Sequence, residues 1–407
     1  MSAHSTGVRR NVFLVAFALA LPAASALAGG YDTGERDWDF LFQESNIAWE
    51  AGTRYFDPQR RITNVNGRLG PAGDTDETES FTVDRFSVAV NAGNLLRCMG
   101  SSREPWGGHA NYGNWGYSAS AVEQHFTSLD RGFTCAVSMP LDRGRLSLVG
   151  GYSVQNISYE LSQRYGIVAP PSPRDPSAAP FVSITANTEV SGKSDGWRVG
   201  LAYEIPEYAL RASLIYNSQM DFGMEGTVNN LAIPYSGPVF GEISMPQSAE
   251  FKFQSGVAPG WLAFGSVKWT DWSVVQNMPL CPVGTPTCNQ ANAVSALTLL
   301  WKDTWTITGG AAYQFFDGFS VAGHVTWDQG ATQGFTSQTD TWVGGLTAVF
   351  SPSQHVELKF GGTAGIMTGG ELSTMTLPGG APNPVGYTAE FGDDYVYSLN
   401  ASIAFRF

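Results

Sequence analysis

Five histidines and four cysteines carry most of the nucleophilic and metal-ligating capacity of this 407-residue chain. Their spacing matches no catalytic signature: His-Glu-x-x-His does not occur. Gly192-Lys193-Ser194 has the form of a phosphate-loop tail, but Asn187 stands where the leading glycine belongs. His324 is the one histidine expected inside a strand, with Ser320 further along the same face, and it reads as a hydrogen-bonding side chain rather than half of a catalytic pair. No Cys-x-x-Cys occurs and no histidine lies near a cysteine at ligand spacing, so no metal, no cofactor and no enzymatic activity are expected. The cysteines instead suit disulfides in an oxidising compartment. Cys281 and Cys288 flank a short Pro/Gly/Thr stretch and are expected to close it, and Cys98 and Cys135 fall on two strands either side of one loop as the expected second pair.

The remaining chemistry is cationic. Arg54, Arg211, Lys252, Lys268 and Lys359 each stand among residues that alternate with apolar ones. Tyr208, Leu210, Ala212, Leu214 and Tyr216 oppose Arg211, Ser213 and Asn217, and Ala249, Phe251 and Phe253 oppose Glu250, Lys252 and Gln254. Val356, Leu358 and Phe360 oppose Glu357 and Lys359, while Ile47, Trp49 and Tyr55 oppose Glu50 and Arg54. A period of two is a strand with one greasy and one wet face. An Arg or Lys on a lipid-facing wall costs roughly 2–4 kcal/mol at mid-bilayer, so keeping every such charge on the other face is what a membrane barrel requires.

The elements that would position these groups follow from punctuation. Turn residues recur at Ala92-Gly93-Asn94, Asp142-Arg143-Gly144, Pro206-Glu207, Ala258-Pro259-Gly260, Asp317-Gly318 and Ser351-Pro352-Ser353. Between them lie longer segments, about 59–79, 105–129, 161–190, 226–242, 275–300, 329–339 and 369–393, read as loops. Six turns and seven loops join fourteen strands, an even number with short turns at one end and long loops at the other. The predicted class is all-β, a transmembrane antiparallel barrel over 47–407.

The termini and composition agree with that class. Arg9 and Arg10 precede a short apolar run that ends in Ala26-Leu27-Ala28, a secretory signal over 1–28. The run is shorter than the ~20 residues of a membrane helix. A chain that crosses a bilayer without helices must close a sheet. The final strand alternates from Tyr395 to Phe407, ending on an aromatic. It resembles the terminal signal read by the barrel-assembly machinery of bacterial outer membranes, so that machinery and outer-membrane lipid are expected partners. Charged residues are only 14% of the chain, against ~25% in soluble domains. A net charge of -13 argues against nucleic acid.

Several stretches together are similar to the long-chain fatty-acid transporters of the outer membrane, the FadL family. They are Ala51 to Pro58, Ser244 to Phe251, Trp261 to Ser273, Trp301 to Gly330, Thr341 to Gly370 and the last strand. The resemblance implies a fourteen-strand barrel with a short N-terminal hatch, here 29–46, folded into the lumen. It also implies apolar ligands entering from outside, resting in an apolar pocket and leaving sideways through the wall. The family's hatch carries an Asn-Pro-Ala run, whereas this one is shorter and reads Phe40-Leu41-Phe42-Gln43-Glu44-Ser45-Asn46, which implies a smaller or differently held plug.

The expected function is passive uptake of hydrophobic small molecules, with long-chain fatty acids first. Aromatic hydrocarbons or acylated signals on the same scaffold, or a porin or adhesion barrel, are the alternatives. Phe56, Leu262 and Phe264 have inward parity, and Phe40, Leu41 and Phe42 would line the hatch. Arg54, Arg211 and Lys268, with Lys252 and Lys359, are the candidates for a carboxylate headgroup. The apolar 226–242 segment, with Leu231, Ile233, Pro234, Tyr235, Val239 and Phe240, is a candidate capture surface.

Overall fold

A computed structural model describes residues 29–36, 38–67, 70–71, 73–93, 95–113, 120–168, 181–230, 235–372 and 387–407. The expected signal (1–28) and the proline-rich tip at 170–180 lie outside the described residues, as do Leu231, Ile233 and Pro234.

Fourteen antiparallel strands close into a barrel. They are β1 (Ile47–Pro58), β2 (Phe81–Ala92), β3 (Leu96–Arg103, resumed at Gly107–Asn111), β4 (Ser120–Pro140), β5 (Arg145–Val168) and β6 (Phe181–Ile205). The wall continues through β7 (Leu210–Asn217, resumed at Met220–Asn230), β8 (Tyr235–Met245, resumed at Ser248–Ala258), β9 (Trp261–Thr270) and β10 (Thr304–Phe316). It ends with β11 (Phe319–Asp328), β12 (Thr341–Ser353), β13 (Val356–Met367) and β14 (Asp394–Arg406). The seam is β1 against β14, paired without slip from Ala48↔Arg406 to Pro58↔Val396. Closure leaves no first or last strand unpaired along its length, the condition for crossing lipid.

All six expected turns join strands at the same end. Four of them place a glycine in the left-handed region, Gly93 (φ 63), Gly144 (φ 84), Gly260 (φ 76) and Gly318 (φ 84). At Gly144 a Cβ would also lie 2.1 Å from the Glu204 carbonyl oxygen, so the turn demands glycine twice over.

The alternation lands as expected: Leu399 is 65% exposed on the outer face while its neighbour Asn400 is 9% exposed on the inner one. Trp197, Leu201, Leu214, Phe251, Trp342 and Phe360 share the outer face. Glu50, Arg54, Arg198, Arg211, Lys268 and Lys359 are buried inside.

The loop ends differ from the sequence reading. Much of 105–129, 161–190 and 226–242 is not loop but strand, because β4 to β8 continue far beyond the apolar band. Their inward residues there, such as Phe126, Tyr159, Leu161, Val190 and Val228, are buried apolar groups that keep the sheet going where the outer face is already polar. The 275–300 segment holds a hairpin, Asn277–Pro282 with Ser295–Thr298, closed by the Cys281–Cys288 disulfide. The 59–79 and 369–393 segments meet in a small outer sheet, in which Arg61–Gly67 pairs with Tyr387–Phe391 and that strand with Gly370–Leu372.

Candidate functional site

The lumen is occupied by residues before β1. Three carboxylates at 32, 35 and 39 meet cations projecting from opposite walls. Asp32 pairs with Lys268 of β9. Glu35 lies 3.6 Å from Arg54 of β1 and 3.4 Å from Arg85 of β2. Asp39 lies 2.6 Å from Arg211 of β7 and 3.3 Å from Lys252 of β8. Backbone groups join in: Arg54 donates to the Thr33 carbonyl at 3.0 Å, Arg103 to the Glu35 carbonyl at 3.1 Å, and Gly29 N–H to Asp328 of β11 at 3.2 Å. Burying charge is tolerable only when it is paired, and these pairs hold the segment across the barrel. Of the cations expected to face a headgroup, Arg54, Arg211, Lys252 and Lys268 all meet this segment. Lys359 instead lies 3.3 Å from Glu357 on its own strand.

Below these pairs the turn of 3₁₀ helix Asp39–Phe42 presents Phe40, Leu41 and Phe42 to the wall. The wall there is lined by Ala48, Ala89, Ala136, Ala202 and Ala404, small enough to admit the rings. Guanidiniums cover the aromatic faces: Arg198 lies 3.7 Å from the Trp38 ring, and Arg97 and Arg211 each 5.0 Å from the Phe42 ring. Leu262 and Phe264 sit elsewhere, in a separate group with Ala312, Ala322 and Val349 beside the turn end. Phe56 stacks on Phe81 with centroids 5.2 Å apart.

Above them the outer half of the lumen is an apolar column that alternation alone did not reveal. Trp106, Trp272 and Trp301 meet edge to face, centroids 5.0–5.2 Å apart. Tyr31 stacks on Phe126 at 4.4 Å. Met220, Met224, Met245 and Met278 fill the spaces between, together with Val239 of the suspected capture segment. The sequence signal was present as methionines on inward positions of β7 and β8. A cavity of about 70 Å³ opens beside the column, lined by Tyr31, Pro58, Phe81 and Met367 with Arg60 and Glu77.

Arg36 is buried at the foot of the column, its guanidinium 4.3 Å from the Trp106 ring. Neither terminal nitrogen has a hydrogen-bond partner among the described residues. No strand pattern pointed to this residue, because it precedes the barrel.

Among the described residues the wall is interrupted between β2 and β3. β2 pairs with β3 only from Arg85↔Arg103 downward, and β3 breaks over Glu104-Pro105-Trp106. Proline cannot donate to a ladder, which is why it marks such breaks. The broken stretch bends inward and pairs with the N-terminal segment: Thr33 N–H donates to the Pro105 carbonyl at 3.1 Å, and Gly107 N–H to the Tyr31 carbonyl at 2.9 Å. Side chains patch what the ladder lacks. Glu104 accepts the Asp84 amide at 3.0 Å, and Ser128 Oγ accepts from Trp106 N at 2.8 Å and donates to Trp106 O at 2.7 Å.

Both expected disulfides are present. Cys98 and Cys135 face each other in register on β3 and β4.

A profile of the family described as outer membrane protein transport protein (OMPP1/FadL/TodX) matches residues 133–341. No curated protein matches. Among solved structures, a Pseudomonas aeruginosa FadL homologue is similar with a TM-score of 0.74 at 16% identity, over 94% of this chain and 97% of that one. The Pseudomonas putida toluene transporter TodX gives a TM-score of 0.58 at 11% identity, over 91% of each chain. The CymD monoaromatic hydrocarbon channel gives 0.55 at 14% identity, over 91% of this chain and 90% of that one. At these identities the structural likeness speaks for the fold alone.

Proposed function

This chain belongs to the OMPP1/FadL/TodX family of outer-membrane transport proteins, and from that premise we propose that the hydrophobic substrate of this channel is a long-chain fatty acid. The observation that carries the reading is an apolar, methionine-rich column that ends on a buried arginine whose two terminal nitrogens have no hydrogen-bond partner among the described residues. A column of this kind captures an acyl chain with about 0.8 kcal/mol for each buried CH₂. Methionine side chains are flexible and polarisable, so they can part around a chain and close again. Arg36 supplies the charge for the carboxylate, with its donors free and its face held by Trp106.

The remaining residues take roles in sequence. Residues 29–46 act as the hatch once 1–28 has been removed as a signal. Phe40, Leu41 and Phe42 seal the lumen below, and Phe56 backs Phe81 at the edge of the cavity. Arg54, Arg211 and Lys268 hold the hatch carboxylates and exchange them for the passing headgroup. Leu262 and Phe264 line the turn end of the barrel. The break at Glu104–Trp106 is the sideways exit, because there the wall is held by side chains rather than by a ladder. Assembly by the barrel machinery, guided by the strand ending at Phe407, completes the scheme.

A second reading, an aromatic hydrocarbon, is favoured by the size of the preformed cavity. About 70 Å³ between Tyr31 and Phe81 is closer to one ring than to an acyl chain. Binding of a labelled C18 fatty acid to detergent-purified protein separates the two, with toluene and hexadecane as competitors. Saturable binding displaced by unlabelled fatty acid but not by toluene is the expected result. Displacement by toluene at matched concentration, or no saturable binding, would reject the fatty-acid assignment.

A further inference from the structure

Above the break in β3, neighbouring strands carry a rank of donor side chains. His109, in the resumed part of β3, stands directly opposite His125 of β4. His125 in turn stands opposite Glu160 of β5. Glu123 lies two residues before His125, on the same face of β4. Glu79 arrives from the connection into β2, where its amide donates to the His109 carbonyl at 3.3 Å and Thr78 bridges to Ala110. Phe126, Ser128 and Tyr159 on the alternate positions are buried inside, so the rank faces outward from the upper wall.

The side chains converge on one point. His125 Nε2 lies 3.3 Å from a Glu79 oxygen and 3.2 Å from a Glu123 oxygen. The two imidazole rings are 4.4 Å apart between centroids. One donor atom each from Glu79, His109 and His125 lie within 4.8 Å of one another. Ligands bound at 2.0–2.2 Å to one ion stand about 3–3.5 Å from each other. Two contacts already have that spacing, and the third needs only side-chain rotation, because directly opposed positions on paired strands are fixed by the backbone.

We propose that Glu79, His109 and His125, with Glu123 as a fourth ligand, bind a divalent transition-metal ion of the zinc class at the outer rim. Two imidazoles with carboxylates suit zinc, nickel or copper, whereas magnesium and calcium prefer oxygen alone. The ion would tie the connection into β2 to β3 and β4, across the top of the interrupted wall.

The test is calorimetric titration of chelator-stripped, detergent-purified full chain with zinc chloride, beside the electron paramagnetic resonance spectrum with copper. One equivalent of tight binding and nitrogen couplings in the copper spectrum are expected. His125→Ala or His109→Ala should weaken zinc binding by at least about tenfold, the usual effect of damaging a metal site. Affinity should also fall from pH 7.5 to 5.5 as protons compete for the ligands. Circular dichroism and heat-modified gel mobility confirm that each variant is folded, and His125→Gln and Glu79→Gln repeat the reading if a variant is not. Absence of a stoichiometric site would overturn the proposal. So would zinc binding that survives both histidine substitutions, or equal competition by calcium, since either leaves only a carboxylate patch in which His125 is a hydrogen-bonded neighbour.

Discussion

Asp39 meets Arg211 at 2.6 Å across 172 positions of chain, joining the segment before the first strand to the seventh strand of the wall. The same carboxylate reaches Lys252 on the next strand. One acidic residue therefore meets two luminal cations from neighbouring strands.

Replacing Asp39 with Asn should remove a charge partner from both cations. Removing one member of a buried pair costs about 3–5 kcal/mol, because the other charge stays buried. The segment is expected to detach locally, and planar-bilayer recordings should show larger and noisier currents than the parent. Identical traces from folded variant and parent would place the anchor elsewhere.

Arg36→Gln removes the buried cation whose donors are free. A hydrogen bond to a charged group contributes about 1.5–3 kcal/mol, so fatty-acid binding should weaken about 10- to 100-fold with hexadecane unaffected. Lys268→Ala and Arg54→Ala should act in the same direction but less, since both already have carboxylate partners. Equal loss for the acid and the alkane would dismiss a headgroup role.

Ser128→Ala strips the hydroxyl that serves both the N–H and the C=O of Trp106. Each orphaned buried group costs about 1–3 kcal/mol. Hydrogen exchange at 104–107 should rise while exchange in β10 to β13 stays unchanged. Unaltered protection at the break would show that water or another group replaces the serine.

Serine at both Cys281 and Cys288 opens the loop closed over a separation of 7 residues. On the chain-entropy view a loop this short is stabilised by roughly 2–3 kcal/mol. The outer hairpin should become sensitive to protease while the melting temperature of the barrel hardly moves. Cleavage at the parental rate would mean that packing, not the disulfide, holds the hairpin.

Glu77 lies in the outer connection between β1 and β2, outside the strands that span the membrane. Burial holds its carboxyl above the ordinary value of 4.5, offset in part by Ser337, Arg60 and Tyr112. The folded rim thus keeps a proton that the unfolded chain would release, and stability falls as pH rises through that window. Exchange protection of 61–67 and 387–391 should be greater at the acidic end than at pH 8, with Glu77→Gln flattening the difference. A pH-independent rim in the parent would contradict the raised value.

What the sequence made legible was the wall. A period of two, six turns and the burial rule for charge identify fourteen strands and their inward faces, because each signal is local and repeats. Strand ends were less legible, as at Tyr159 and Val228: above the apolar band the outer face turns polar and the apolar residues face inward, so the greasy-outside pattern that marks a membrane strand stops there. The pairing of Asp32, Glu35 and Asp39 was hidden for another reason. Acids in a segment of no regular period give no hint of which distant strand they will meet. The rank of His109, His125 and Glu160 was equally silent, since register between strands decides it and spacing along the chain does not.

The cross-strand bond between Cys98 and Cys135 bears on the order of events in assembly. The two residues are opposite partners flanked by buried Arg97, Met99 and Thr134, so the sulfurs point away from the lumen into the region of lipid. Oxidants act in the aqueous space before a barrel is inserted. A bond closed there, ahead of insertion, would hold the third and fourth strands in their final alignment and make a one-residue misalignment of that pair chemically unavailable.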